Sequence, residues 1–272
     1  MKNKTDFLKI SNAQIYYEFA GSDQPIVFIP AVIADSRQWD KEFAVLAKDH
    51  AVLRYDPRGY GKSLPTEGDY NELDDLAALL DHVGWTGPVT LVGCSMGGGL
   101  ALDFALTHPE RVRALVLVSA APSGLWLDVE LNPLEEDADK AMQAGDLDQV
   151  AELYMQMFYD GMGREKAATN PPARALAYQM CRLMLEHASK GLGNLLPNTD
   201  LKAPDLLGRI AMPVLAVNGE FDEPFIHAAA AYMAERIPNF ELVTLPDAAH
   251  MVNMEQPETF LQALQDFLAK IN

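Results

Sequence analysis

The stretch Val89-Thr90-Leu91-Val92-Gly93-Cys94-Ser95-Met96-Gly97-Gly98 decides how the rest of the chain is interpreted. An apolar, β-branched run ends in Gly-x-Ser-x-Gly, and a segment rich in leucine and alanine continues to His108. This order predicts a buried strand, a sharp turn and a helix, with Ser95 at the apex of the turn. Gly93 and Gly97 would keep side chains out of the turn, so that the Ser95 hydroxyl stands clear of the sheet. By itself the pattern also fits a glycine-rich helix entry or a phosphate-binding turn at a helix N-terminus.

Length and composition indicate one large domain, with or without an insertion. The chain has 272 residues, of which 49% are hydrophobic, enough for a sizeable core. It has no run of 18 apolar residues, so we expect no transmembrane helix, and its first ten residues lack the apolar segment of a signal peptide. The net charge of −18 argues against nucleic acid and anionic membrane surfaces as partners.

The two cysteines, Cys94 and Cys181, lie far apart in the sequence. Neither belongs to a Cys-x-x-Cys pair or to a Cys/His pattern with zinc-ligand spacing. We therefore expect neither a disulfide framework nor a structural metal, and a reducing cytoplasm as the location of the protein.

Predicted strands and helices alternate along most of the chain. After an opening hairpin at 7–19, the apolar patterns predict strands at 25–30, 51–55, 88–92, 112–118, 212–219 and 240–245. Between and after them the patterns predict helices at 37–48, 71–83, 96–107, 224–236 and 257–270. Such alternation indicates an α/β fold with a parallel sheet and helices on both of its faces.

The alternation breaks between residues 122 and 206. This segment shows helical patterns at 134–144, 147–159 and 172–189 and no convincing strand. The predicted organisation is therefore a core formed by residues 1–121 and 207–272, interrupted by an all-helical insertion at 122–206.

A serine hydroxyl becomes a good nucleophile only when a base accepts its proton and a third group orients that base. His250 directly follows the last predicted strand, where open α/β sheets bind their ligands. Asp222 follows the strand that ends near Asn218, and the order Ser95, Asp222, His250 is that of α/β-hydrolases. Two simpler interpretations remain: His250 as a loop histidine without a role, and Asp222 as a helix N-cap.

Several neighbouring residues compete for these roles. Glu220 and Glu223 are alternative acids close to Asp222, whereas Asp247 lies too near His250 in sequence to be preferred. Cys94 is a rival nucleophile, but it occupies the variable position of the motif. His187 lies on a predicted amphipathic helix of the insertion, where packing is the simpler explanation.

Four motifs in order resemble a capped α/β-hydrolase fold enzyme from end to end. They are Asp56-x-Arg58-Gly59-x-Gly61-x-Ser63, Gly93-Cys94-Ser95-Met96-Gly97-Gly98, Gly219-x-x-Asp222 and His250-x-x-x-x-Glu255-x-Pro257-Glu258. Within this superfamily the chain is most similar to small esterases, enol-lactonases and cofactor-free haloperoxidases. The resemblance implies a mostly parallel, eight-stranded twisted sheet with helices on both faces, and residues 122–206 as a helical cap.

The resemblance also implies the roles of individual residues. Ser95 would be the nucleophile, His250 the base and Asp222 the acid, with no metal or organic cofactor required. The family usually has His-Gly after its third strand, where this sequence has Pro30-Ala31. The backbone N–H of the next residue, Val32, would share the oxyanion hole with that of Met96. Because Ala31 lacks the freedom of glycine at positive φ, we expect this loop to be reshaped.

Apolar side chains of the insertion are candidates for lining a substrate pocket, although they would serve equally to seal its helices onto the core. They are Trp126, Tyr154, Phe158 and Met184. Between residues 124 and 160 the sequence has ten acids and one basic residue, Lys140. Placed around an entrance, such charges would disfavour anionic substrates and favour neutral ones.

The sequence therefore predicts a serine hydrolase, monomeric or homodimeric, that cleaves small or medium neutral esters or lactones through an acyl-enzyme. Perhydrolysis of the haloperoxidase kind and C–C bond hydrolysis are alternatives on the same triad. A different class is a ligand-binding signalling protein that turns over slowly or not at all. The Pro30-Ala31 departure is the feature that favours this last class.

Overall fold

The fold is organised around one twisted sheet of eight strands. The computed structural model describes residues 4–10, 12–130, 132–164, 170–196, 198 and 200–271. The strands of the main sheet are β1 (Lys4–Ile10), β2 (Ala13–Ala20), β3 (Pro25–Ile29), β4 (Ala51–Tyr55), β6 (Val89–Cys94), β7 (Val112–Val118), β9 (Val214–Gly219) and β10 (Phe240–Leu245). Their spatial order is β1-β2-β4-β3-β6-β7-β9-β10. The predicted eight-stranded, mostly parallel sheet is confirmed.

The direction of the strands determines where polar side chains meet. β1 and β2 form the predicted hairpin, and β2 also pairs antiparallel with β4. From β4 to β10 every pairing is parallel, so the carboxyl ends of β3, β6, β7, β9 and β10 lie at one edge. The loops that leave this edge carry the candidate site.

Helices cover both faces of the sheet. They are α1 (Asp40–Leu46), α2 (Glu72–His82), α3 (Met96–Thr107), α4 (Glu135–Ala144), α5 (Leu147–Met155), α6 (Pro171–Ala188), α7 (Ala203–Leu206), α8 (Pro224–Ala234), α9 (Val252–Glu255) and α10 (Pro257–Ile271). A short 3₁₀ turn at Ser36–Trp39 precedes α1.

The two sides of the sheet form separate apolar cores. On one side Phe28 stacks on Trp39, with ring centroids 5.2 Å apart, and Phe260 of α10 lies 6.1 Å from Trp39. On the other side Val27 packs with α2 and α3, because successive residues of a strand point to opposite faces. Both cores are fully buried, which gives the site a rigid support.

Residues 122–206, called here the insertion, lie between β7 and β9 and supply α4, α5, α6 and α7. A single π-helical turn at Gln156–Asp160 follows α5 and ends at Gly161. No strand was expected here, but Asn194–Leu195 (β8) pairs in parallel with Asp69–Tyr70 (β5) of the core. Two residues are too short to show a strand periodicity in sequence, and this pairing is made by tertiary contact.

Polar contacts fix the insertion to the core at several points. The Arg164 guanidinium pairs with Glu255 over 2.5 Å and donates to the carbonyl of Asp247. The imidazole Nδ1 of His187 lies 3.0 Å from the carbonyl oxygen of Gly59. The backbone N–H of His250 donates to the carbonyl of Phe158, so the π-helical turn touches the loop that carries this histidine.

Candidate active site

Ser95 lies at the junction between β6 and α3, in a strained backbone conformation. Its φ and ψ are 52° and −117°, a region that residues with a side chain seldom occupy. The turn is possible because its flanking residues have no side chains. A Cβ on Gly93 would lie 2.2 Å from the Gly97 carbonyl oxygen, and one on Gly97 would lie 2.5 Å from that of Pro30. The tight turn lifts the Ser95 side chain to the carboxyl edge of the sheet.

His250 and Asp222 come together at the same edge, from the loops that follow β10 and β9. The imidazole Nδ1 of His250 lies 2.8 Å from Oδ1 of Asp222, and both side chains are almost fully buried. The backbone N–H of Glu223 also donates to that Oδ1, over 2.8 Å. With Nδ1 engaged by the carboxylate, the other ring nitrogen, Nε2, is the one free for proton transfer.

The burial and charge of this pair shift the pKa of each partner. Burial alone would raise the pKa of Asp222, but the adjacent His250 and the hydrogen bonds to the carboxylate lower it below its usual value. Burial alone would lower the pKa of His250, but the Asp222 carboxylate raises it above the usual value. The pair therefore favours a charged imidazolium beside a carboxylate, as a general base requires when it accepts a proton.

One cavity of about 510 Å³ opens over Ser95 and His250. Its walls come from the elbow, the loop after β7, the insertion and α8. The lining residues are Ser95, Met96, Gly99, Ser119, Ala121, Ser123, Leu125, Trp126, Leu127, Val129, Glu130, Glu135, Phe158, Glu223, Phe225, Ile226 and His250. The apolar walls and few polar groups are typical of a small-molecule site.

Of the four predicted pocket residues, two line the cavity over Ser95, one lines another cavity and one lines neither. Trp126 and Phe158 line the cavity over Ser95, and the Phe158 ring centroid lies 5.3 Å from that of His250. Tyr154 lines neither cavity and packs edge-on against Phe158, with ring centroids 5.7 Å apart. Met184 lines a different cavity of about 340 Å³, together with Arg58 and Tyr60.

Sequence reasoning missed other residues of the cavity. Ser119, directly after β7, is fully buried with a φ of 48° and lines the cavity beside His250. Its place at the end of a buried strand was a usable signal, since functional side chains gather at that edge. Phe225 and Ile226 line the cavity from the first turn of α8, and nothing in the sequence indicated which way that helix faces.

The loop after β3 lies against the elbow through Pro30, and Val32 follows in this loop as an exposed residue outside the lining of the cavity over Ser95. The N–H of Ala34 donates to the carbonyl of Ala31 over 3.0 Å, so Ala31–Ala34 forms a turn with Val32 inside it. The Pro30 carbonyl lies against Gly97, one residue from Met96. Non-glycine residues with positive φ in the described chain are Asp23, Ser95, Ser119, Lys202 and Asp247. Ala31 is not among them, so its backbone does not need the conformational freedom that glycine would supply.

The competing candidates have other partners. Oε2 of Glu220 accepts the N–H of Asp247, and Oε1 of Glu223 accepts the amide of Asn132. Cys94 is fully buried within β6, and burial raises the pKa of its thiol to about 12, which makes it a poor nucleophile. Its sulfur faces the carbonyl of His250 at 4.0 Å.

Asp56 and Arg58, from the Asp-x-Arg-Gly motif, hold a turn. Asp56 accepts the backbone N–H groups of Ser36 and Lys62 over 2.8 and 2.7 Å. The Arg58 guanidinium makes two hydrogen bonds to Asp75, of 2.6 and 2.7 Å. The motif is therefore structural, and it shapes the loop that leads from β4.

Metal-binding clusters and membrane-spanning helices are both absent from the described residues. They contain no group of three or more His, Cys, Asp or Glu side chains placed to hold a metal ion. No helix among them has the length and apolar character needed to cross a membrane.

Comparison with known proteins agrees with this architecture. A Bacillus subtilis protein provisionally named 2-succinyl-6-hydroxy-2,4-cyclohexadiene-1-carboxylate synthase is 30% identical over 271 residues, covering 93% of this chain and 88% of that protein. A pimeloyl-(acyl-carrier protein) methyl ester esterase of Aeromonas hydrophila is 29% identical over 239 residues, covering 85% and 89%. The structure of a thermophilic esterase from Thermogutta terrifontis superposes with a TM-score of 0.73 at 25% identity, covering 100% of this chain and 99% of the esterase.

A family model described as alpha/beta hydrolase fold matches residues 24–257, from β3 to the start of α10. That match spans most of the chain and includes Ser95, Asp222 and His250. The chain belongs to the α/β-hydrolase fold family.

Proposed function

We propose that this protein is a serine hydrolase that cleaves small or medium neutral esters or lactones. The observation that carries the proposal is the 2.8 Å contact between His250 Nδ1 and Asp222 Oδ1, together with the cavity that His250 and Ser95 both line. An oriented histidine that lines the same cavity as a half-buried serine in a strained turn fits the arrangement that activates a hydroxyl. Two similar proteins are named as esterases, which supports acyl transfer.

In the proposed reaction Ser95 Oγ attacks the carbonyl carbon of the ester while its proton moves to His250 Nε2. The carbonyl electron pair moves to oxygen, and the backbone N–H groups of Val32 and Met96 stabilise that oxyanion. The intermediate collapses, the bond to the alcohol oxygen breaks, and the alcohol leaves with the proton from His250. Water, deprotonated by the same nitrogen, then attacks the acyl carbon, the bond from that carbon to Ser95 Oγ breaks, and Ser95 takes the proton back from His250 as the acid leaves.

The charge of the cavity supports a neutral substrate. Glu130, Glu135 and Glu223 line it, and no lysine or arginine does so among the residues that the structure describes. A carboxylate on the substrate would be repelled without a partner. The Bacillus relative is named for a carboxylate product, so we propose that this chain differs from it in substrate charge.

We also propose that residues 122–206 act as the cap of the enzyme. Trp126, Glu130 and Phe158 of this segment line the cavity, whereas the triad comes entirely from residues 1–121 and 207–272. The range of substrates would then depend on the insertion, and the chemical steps would depend on the core.

Release of p-nitrophenol from p-nitrophenyl acetate and butyrate tests the proposal. Wild-type protein should turn over both esters, and Ser95→Ala should lose at least about 10³-fold in kcat. A fluorophosphonate should label wild-type Ser95 and leave Ser95→Ala unlabelled. Leu76→Ala, in the core far from the site, should keep its kcat at a temperature where it remains folded. Absence of both turnover and labelling in the wild-type protein would refute a serine hydrolase.

A further inference from the structure

The loop that carries Val32 is held by a buried side-chain amide. The N–H of Ala31 donates to Oε1 of Gln38 over 2.9 Å. Gln38 belongs to the 3₁₀ turn before α1 and is 3% exposed, and Ala31 is fully buried. The anchor of this loop therefore lies seven residues along the chain, not in the loop itself.

A second amide fixes the first. Nε2 of Gln38 donates to Oδ1 of Asn253 over 3.1 Å, and Nδ2 of Asn253 donates to the backbone carbonyl of Gln38 over 2.9 Å. Asn253 is 2% exposed and lies in α9, three residues after His250. We call Gln38 and Asn253 the amide pair.

The partners of the amide pair determine its orientation. Gln38 uses its oxygen for the N–H of Ala31 and its nitrogen for Asn253, so rotating either amide by half a turn would place donor against donor or acceptor against acceptor. In a dry interior such a mismatch is unfavourable, and a fully satisfied network is correspondingly rigid. The amide pair thus connects the loop after β3 to the loop that carries His250.

The two backbone N–H groups next to this anchor, those of Ala31 and Val32, differ in their hydrogen bonding. The N–H of Ala31 is occupied by Gln38, whereas among the described residues no hydrogen-bond acceptor appears for the N–H of Val32. On the other side, the Pro30 carbonyl packs against Gly97, next to Met96 at the first position of α3. The hydrogen bond from Ala31 to Gln38 fixes the Pro30–Ala31 peptide plane. The next plane, which contains the Val32 N–H, is held through the Ala31 carbonyl, which accepts the N–H of Ala34 over 3.0 Å. Together these two contacts set the direction of the Val32 N–H.

From these contacts we infer that Gln38 and Asn253 are positioning residues that hold the Val32 N–H in the oxyanion hole. The inference rests on the proposed serine hydrolase function. It explains how a chain with Pro30-Ala31 after β3 can still present a preorganised donor, since the rigidity comes from the amide pair. It also links the donor and the base, because Asn253 and His250 belong to one short segment.

The decisive variant is Gln38→Met, which keeps the length of the side chain and removes both of its hydrogen bonds. We expect kcat on p-nitrophenyl butyrate to fall 10- to 100-fold while KM changes less than threefold. A trifluoromethyl ketone, which forms a tetrahedral oxyanion on Ser95, should bind more weakly by the same factor as kcat falls. If Gln38→Met raises KM but retains the wild-type kcat, the inference is overturned.

Conservative variants separate positioning from folding. Gln38→Glu keeps an acceptor for the N–H of Ala31 and should retain more kcat than Gln38→Met, and Asn253→Asp should retain more than Asn253→Leu. Leu76→Ala, in the opposite core, is the matched control for lost stability. It should lower Tm by as much as Gln38→Met or more, with kcat unchanged at 25 °C. If Leu76→Ala and Gln38→Met lose kcat equally, the amide pair acts only through stability and the inference fails.

Hydrogen exchange gives a readout that does not depend on activity. In the wild-type protein the amide of Ala31 should be protected, and Gln38→Met should increase its exchange at least tenfold while the amides of β9 stay unchanged. Unchanged protection of Ala31 in Gln38→Met would refute the inference even in a fully active enzyme. Faster exchange of Ala31 in Gln38→Met, combined with a wild-type protein that neither turns over esters nor reacts with the fluorophosphonate, would instead refute the proposed function alone.

Discussion

Asp222 differs from its two acidic neighbours in the partner that its carboxylate meets. Its Oδ1 contacts His250, whereas Glu220 accepts a backbone N–H and Glu223 accepts the Asn132 amide. The three acids lie within four residues of each other, so sequence order alone could not rank them with certainty. The geometry does, because of the three carboxylates it is that of Asp222 that contacts the His250 imidazole.

Asp222→Asn should lower kcat on p-nitrophenyl esters by about 10³- to 10⁴-fold, since an amide can donate to Nδ1 and stabilise the wrong tautomer. Steady-state kinetics at pH 7.5 measures this loss. Glu220→Gln is the matched control and should stay within threefold of the wild-type kcat. A comparable loss in Glu220→Gln would mean that the acid has been assigned to the wrong residue.

At the scale of elements, the β6–α3 elbow depends on close backbone approach. Gly97 meets the carbonyl oxygens of both Ile29 and Pro30, so the end of β3 and the start of α3 nearly touch. The elbow therefore positions two segments at once: the turn with Ser95 on one side and the loop with Val32 on the other. A side chain here would separate them.

Gly97→Ala should lower Tm and reduce kcat at least 100-fold, because its Cβ would lie 2.5 Å from the Pro30 carbonyl oxygen and would push the loop away. Thermal unfolding followed by circular dichroism, together with ester kinetics, measures both effects. Gly87→Ala is the control, since a Cβ there meets no atom within 4 Å. An active, stable Gly97→Ala would show that the approach of β3 to α3 is not required.

Helices and strands could be predicted where a local sequence pattern encodes them, and not where tertiary contacts form them. Core strands such as β4 were located correctly, because continuous apolar runs between turn residues encode them. The strand β8 and the π-helical turn after α5 could not be predicted, since tertiary contacts make them. Met184 lines a cavity other than the one over Ser95, and periodicity could not show this, because it identifies the apolar face of α6 but not the cavity that the face borders.

At the scale of the whole molecule, one buried acid couples stability to pH. Glu42 of α1 is 1% exposed, and its two carboxyl oxygens find no partner among the described residues that meets hydrogen-bond geometry. Burial raises the pKa of Glu42 to about 8, against the smaller opposing effects of its own backbone N–H and the Asn253 amide. In the unfolded chain this carboxyl would titrate near 4.5.

Between pH 4.5 and about 8 the folded protein keeps a proton on Glu42 that the unfolded chain releases. The free energy of unfolding therefore decreases as pH rises through this window, by roughly 1.4 kcal/mol per pH unit from this group. Glu42→Gln should remove the decrease, so its Tm should exceed that of the wild type by a margin that grows from pH 5 to pH 8 and then levels off.

Thermal melts at half-unit pH intervals measure this margin. Glu136→Gln, whose side chain is 80% exposed in a surface ion pair with Lys140, should leave Tm within about 2 °C at every pH. A Tm difference for Glu42→Gln that is constant with pH would show that Glu42 does not change protonation on unfolding.

The part of the candidate site that lies directly after core strands could be predicted from the sequence. Ser95, Asp222 and His250 each follow a core strand, and parallel strands bring such positions to one edge. The cavity walls were less predictable, because they combine the loop after β7, the insertion and α8, which lie far apart in the chain. The amide pair joins residues 215 positions apart, a contact that local sequence patterns cannot reveal.

The burial of both cysteines has a practical consequence for spectroscopy. Cys94 and Cys181 are free and fully buried, and burial raises the pKa of each thiol to about 12. At neutral pH neither forms the thiolate that maleimides and nitroxide reagents attack. Trp126, at the wall of the cavity, is 80% exposed. A cysteine introduced at position 126 would be labelled selectively without first removing the native thiols. A fluorophore or spin label attached there would detect ligands that enter or leave the cavity.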